Sequence, residues 1–96
     1  MKQHGRKDNN HDEIVDALRR VGASVQSLAS VGDGCPDVLV AFRGWHVLEI
    51  KDGSKPPSAR KLTDAEEAWH LVFGEKATVH IVCTVDEALQ AIGATQ

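Results

Sequence analysis

Apolar positions recur along this chain with two periods, one helical and one extended, and the switches between them outline its elements. From Asn10 onward Ile14, Ala17, Leu18 and Val21 fall at helical spacing and Gly22 supplies a stop, so Asn10 to Val21 reads as a first helix. Ala23 to Ala29 carries a weaker strand pattern and runs into the turn Gly32-Asp33-Gly34, then Cys35-Pro36-Asp37, where Pro36 starts a strand rather than interrupting one. Val38 to Phe42 and Trp45 to Lys51 are β-branched-rich apolar runs on either side of Arg43-Gly44, a hairpin expected at the centre of the sheet. Asp52 to Ser58 holds Gly53, Pro56 and Pro57, cannot continue a ladder, and reads as an exposed loop. Thr63 and Glu66 fit a capping box, and Leu62, Ala65, Trp69 and Val72 or Phe73 supply the apolar stripe of a second helix that Gly74 ends. Ala77 to Cys83 reads as a buried strand, and Thr84-x-x-Glu87 opens a last helix with Val85, Ala88, Leu89 and Ile92 inward and Gly93 as its stop. The predicted order is α-β-β-β-α-β-α, an α/β fold with a mixed central sheet flanked by helices.

A chain of 96 residues with 42% apolar content suits one domain over residues 10–96, preceded by a flexible polar tail over residues 1–9 whose Arg6 and Lys7 are candidates for touching phosphate. The net charge of −3 argues against a protein coated in positive charge, so any nucleic-acid contact has to come from a local patch. Lys51, Lys55, Arg60 and Lys61 against Asp52 are one such patch, and equally an ordinary solvated loop. The polar start, Met1 to Asp12, does not resemble a signal peptide, and no apolar run approaches the roughly 20 residues that cross a bilayer, so a soluble, cytoplasmic protein without membrane partners is expected. Cys35 and Cys83 lack CxxC spacing and read as reduced thiols. His4, His11, His46, His70 and His80 show no HxxxH or HxH spacing, which argues against a zinc or histidine-based site. His80 reads as sheet packing, and Trp45 and Trp69 as core rather than base-stacking platforms; His70 lies one helical turn after Glu66, with a position facing the site as its alternative to the more ordinary surface one.

The chemistry concentrates in Pro36-Asp37 and Glu49-Ile50-Lys51. Residues two apart on a strand share a face, so Glu49 and Lys51 project together while Leu48 and Ile50 point the other way. A carboxylate binds a hard divalent cation, and a neighbouring ammonium holds the attacking water and offsets charge developing on phosphate. Whether Asp37 joins them depends on the hairpin register. A two-residue loop at Arg43-Gly44 pairs Val38 with Glu49 and turns Asp37 away, whereas a three-residue loop, Phe42-Arg43-Gly44 with Gly44 left-handed, pairs Asp37 with Glu49. The three-residue loop or an equivalent bulge is therefore expected. Singly, these residues have ordinary readings as an edge-strand face and a turn aspartate. Together, at the end of an otherwise apolar hairpin, they are harder to explain as solvation.

Gly34-Cys35-Pro36-Asp37, Glu49-Ile50-Lys51 and Leu62-Thr63-x-Ala65-Glu66-x-x-Trp69 resemble, in this order and over residues 10 to 75, the VRR-NUC branch of the PD-(D/E)XK nucleases, particularly its small stand-alone phage and bacterial forms. The resemblance implies a restriction-endonuclease-like core and a catalytic centre at Asp37, Glu49 and Lys51. Asp37, Glu49 and the Ile50 carbonyl would hold Mg²⁺ or Mn²⁺, with Lys51 as catalytic lysine and no organic cofactor. Glu13 on the first helix is the counterpart of an assisting metal glutamate, with a solvated position as its alternative. Asn10, one turn earlier, is either an accessory that orients water or phosphate or the helix N-cap. Lys55, Arg60 and Lys61 would bind the phosphate backbone without reading bases. Glu66 departs from the family, which usually carries glutamine there; glutamate serves the capping box equally, but its charge repels phosphate unless it meets a metal or a cation such as Lys61. Small relatives are similar in resolving four-way DNA junctions as homodimers, which makes branched DNA the expected substrate and a second copy the expected partner. The alternatives are a flap-cleaving or nicking nuclease and a catalytically silent nucleic-acid-binding module.

Overall fold

The computed structural model describes residues 10–94, so the expected tail with Arg6 and Lys7 lies outside the described residues. Helix α1 (His11–Arg20) leads into β1 (Ser24–Ser27), β2 (Val38–Ala41) and β3 (Trp45–Ile50); a 3-10 turn over Pro57–Arg60 precedes α2 (Asp64–Gly74), β4 (Val79–Val82) and α3 (Val85–Ala91). The four strands form one mixed sheet in the order β1-β2-β3-β4, with β1 to β3 antiparallel and β4 parallel to β3. The two strong apolar runs thus occupy the centre. No helix among the described residues is long and apolar enough to cross a membrane.

Cross-strand partners share a face, and the register puts Val38, Val40, Leu48, Ile50 and Val82 on one side of the sheet. α1 and α3 pack over that side with Ile14, Val15, Leu18, Ala88 and Ile92, forming the core. Fully burying Ile14, Leu18 or Leu48 stabilises the fold by about 1.5–3 kcal/mol each. α1 ends where Gly22, at φ 100, lets the Ala23 N–H reach the Leu18 carbonyl at 3.1 Å.

The hairpin pairs Ala41 with Trp45, leaving Phe42-Arg43-Gly44 as a three-residue loop closed by the Phe42 N–H on the Gly44 carbonyl at 2.9 Å. Gly44 has a positive φ of 132°, but the left-handed α conformation falls on Arg43 at φ 56, whose guanidinium lies 4.8 Å over the Phe42 ring.

The opposite sheet face is covered unevenly, and here several expectations are corrected. Trp45 is not core: it is 74% exposed at the start of β3, beyond the reach of α2. The apolar stripe on α2 buries no residue completely; Val72 and Phe73 are exposed and Trp69 half-buried, because α2 packs against little of the sheet, chiefly β4 and the end of β3. The strand expected over Ala77 to Cys83 is shorter, and only Val82 is buried, since β4 is the sheet's edge.

Candidate metal centre

The centre forms where β2 and β3 carry polar residues on the face opposite the core. Extending the hairpin register by one step places Asp37 across from Glu49, and the Asp37 N–H donates to the Leu48 carbonyl at 3.1 Å. Asp37 Oδ2 accepts the Ile50 N–H at 2.6 Å, which turns its carboxyl toward the end of β3. Lys51 continues from β3, its N–H donating to the Val82 carbonyl at 2.9 Å, and its ammonium lies 3.8 Å from Glu49 Oε2. Asp37, Glu49, Ile50 and Lys51 line one wall of a cleft of about 740 Å³.

α2 supplies the roof. The turn before the site holds three successive residues at positive φ, Gly32 at 75°, Asp33 at 55° and Gly34 at 81°. A Cβ on Gly34 would lie 2.1 Å from the Ala65 carbonyl oxygen, so only glycine permits this turn to sit against the first turn of α2. There the capping box is complete: Glu66 N–H donates to Thr63 Oγ1 at 3.1 Å, and Glu66 Oε1 accepts the Thr63 N–H at 2.9 Å. The same Oε1 accepts a charge-assisted hydrogen bond from Lys51 Nζ at 2.9 Å. Lys51, not Lys61, is therefore the cation that meets Glu66. His70, one turn further along α2, brings Nε2 to 3.6 Å from Glu49 Oε1.

These groups titrate abnormally, each for a physical reason. Burial foremost, then the charges of Asp37 and Glu66, pushes Glu49 up to about 9 against the opposing pull of Lys51. Burial also raises Asp37, although the Ile50 N–H works the other way. For Glu66 burial acts upward, but the Thr63 N–H and Lys51 outweigh it and leave the carboxyl below its usual range. Burial lowers His70, helped by Lys51 and opposed by Glu66. At neutral pH Glu49 thus holds a proton.

The donor set fits a hard divalent cation. Glu49 is 2% exposed and stands across from the Asp37 carboxyl, so two carboxyl groups are desolvated side by side. The proton that burial holds on Glu49 is one a divalent cation would displace, since metal binding releases protons from its ligands. Among the described residues no three His, Cys, Asp or Glu side chains are arranged to hold a metal ion. Mg²⁺, which keeps several waters and takes one or two carboxylates, needs only Asp37 and Glu49 with a backbone carbonyl such as that of Ile50.

The remaining candidates divide. Glu13 lies on the exposed side of α1 and does not line the cleft; Asp12, Val15 and Arg19 do, at the three- and four-residue spacing of one helix face. His11 also lines it, and its charge acts on Asp37. Asn10 makes no side-chain cap; its Nδ2 donates to the carbonyls of Lys51 at 3.0 Å and Cys83 at 2.7 Å, tying the ends of β3 and β4 together. Lys55 and Lys61 are exposed and Arg60 is half-buried, and none of the three lines the cleft. Cys35 and Cys83 are free thiols, and Cys35 is raised by burial first and then by Glu49 and Asp37.

Sequence reasoning missed His11 and Arg19 as cleft residues. For His70 the four-residue step from Glu66 left a place facing the site open beside the preferred surface reading, and the structure brings its ring to Glu49. No family model, curated protein or solved structure matches this chain.

Proposed function

We propose that this protein is a Mg²⁺- or Mn²⁺-dependent, structure-specific DNA endonuclease with a restriction-endonuclease-like core, acting on four-way junctions as a homodimer. One observation carries the reading: two carboxyls and an ammonium, Asp37, Glu49 and Lys51, are gathered at the wall of an open cleft, at the cost of desolvating all three. A domain of this size has no structural need for two desolvated carboxyls there.

In this mechanism Asp37 and Glu49, with the Ile50 carbonyl, hold the cation. When bound it supplies Lewis acidity toward the phosphate and a more acidic water. Lys51 orients the attacking water and offsets negative charge that builds on the phosphate. Arg19 and His11 on the facing wall, and Lys55, Arg60 and Lys61 outside the cleft lining, hold backbone phosphates without reading bases. Recognition by backbone contacts favours DNA shape over sequence as the selected feature.

Pairing is supported by the uncovered apolar surface. Trp45, Leu71, Val72, Phe73 and Ile81 are each about half exposed or more. A monomer at micromolar concentration would remove the dimer from the reading.

A silent binding module is favoured by one observation, the ion pair that engages Lys51 with Glu66. Cleavage of labelled duplex, flap and four-way-junction DNA in Mg²⁺, Mn²⁺ or EDTA, with Lys51→Ala and Asp37→Ala as controls, separates the two. Metal-dependent cutting lost in both variants is the expected result, and paired symmetric cuts in the junction mark the resolvase. Flap-restricted or single-strand cuts indicate the nicking alternative, and DNA binding without cutting, unchanged in Asp37→Ala, indicates the silent module.

A further inference from the structure

His70 has no part in the mechanism above, yet it projects from α2 to within 3.6 Å of Glu49. Its side chain is 13% exposed, and Nε2 and Glu49 Oε1 are both buried with no hydrogen-bond partner among the described residues. A buried donor and a buried acceptor left unmade each carry a desolvation penalty, which drives them toward pairing. Their separation, 3.6 Å, is only a few tenths of an ångström beyond a hydrogen bond. The ring is also braced: Trp69 meets it edge-on at 6.0 Å and itself stacks on Phe73 at 3.9 Å.

Glu49 thus has two differently employed oxygens. Oε2 lies toward Lys51, and Oε1 toward His70. A carboxylate fixed at one oxygen cannot rotate, so the direction of its other oxygen is set as well.

We infer that His70 is a positioning residue for the metal centre: its Nε2–H donates to Glu49 Oε1 and locks the carboxylate plane in which Glu49 faces the cation. The inference rests on the nuclease reading. His70 touches neither the cation nor the phosphate; it acts through Glu49 alone. Nε2 carries the ring proton in this role, and glutamine is the replacement whose amide N–H reaches nearest to it, whereas asparagine falls short.

The test is Mn²⁺ binding by calorimetry to the intact chain, His70→Leu, His70→Gln and His70→Asn, with DNA cleavage at limiting and saturating Mn²⁺. His70→Leu is expected to weaken Mn²⁺ binding about 10-fold or more, with cleavage recovering as Mn²⁺ is raised, and His70→Gln to restore most of the affinity. If His70→Leu does not fold, the contrast between Gln and Asn carries the same comparison. Equal Mn²⁺ affinity in all variants overturns the inference and leaves the nuclease intact, as does cleavage that stays lost in His70→Leu at saturating Mn²⁺. No Mn²⁺ binding by the intact chain overturns the nuclease reading, and this inference with it.

Discussion

Glu49→Gln should stabilise the metal-free protein while abolishing its activity. In the folded chain burial, with the charges of Asp37 and Glu66, keeps Glu49 protonated above neutrality, whereas an unfolded chain ionises it near pH 4.5. A carboxyl raised on folding contributes its full stability below the unfolded value and loses it as pH climbs from about 4.5 toward 9. Retaining that proton at pH 7 costs the folded state up to about 3 kcal/mol, which water and counter-ions reaching the cleft reduce to about 1.5 kcal/mol. Glutamine keeps the shape and a donor toward Asp37 but pays nothing for a proton. The variant should therefore melt roughly 10 °C higher at pH 7 in EDTA, and the difference should vanish below pH 4.5. Thermal unfolding by circular dichroism between pH 4 and 8, with and without Mn²⁺, reads both the sign and the window. Mn²⁺ should raise the melting temperature of the intact chain, increasingly so at higher pH, and leave the variant unmoved. A variant no more stable than the parent at pH 7, or an advantage that does not shrink on acidification, refutes the reasoning.

Glu66→Gln removes a charge that raises Glu49 and engages Lys51, while the capping box survives. Cleavage should rise several-fold with stability within about 0.5 kcal/mol, measured by single-turnover kinetics and melting, and a fall in rate would count against repulsion by Glu66. Gly34→Ala forces a Cβ into the Ala65 carbonyl at a φ of 81°, and should cost about 3 kcal/mol in urea unfolding and most of the activity, because α2 carries Glu66 and His70. Wild-type stability in that variant would show that the turn does not hold α2. Asn10→Ala should lose about 1–3 kcal/mol through two unsatisfied carbonyls, and Asn10→Asp more, since it sets acceptor against acceptor; equal stability of the two would mean that Asn10 is not a donor clamp.

The parts of this protein legible in its sequence are those governed by backbone period. Residues two apart on a strand share a face whatever surrounds them, so Glu49 and Lys51 were paired in advance. The demand that Asp37 join them was enough to require the three-residue loop that the hairpin contains. The capping box at Thr63 and Glu66 and the inward face of α3 were equally readable, because both are set within one or two helical turns. Burial was less so. An apolar stripe states which face prefers cover, not whether the chain has an element left to cover it, and for Trp45 and α2 it has none. On α1 the family resemblance offered Glu13, while the packing of the helix turned Asp12 and Arg19 to the cleft. Asn10 looked like a cap until distant carbonyls of β3 and β4 came within its reach. Sequence determined the faces, turns and caps, since these follow from local dihedral geometry; only the tertiary structure decided which faces meet, and with them the desolvation and charge neighbours that set His70 and Glu66 over Glu49.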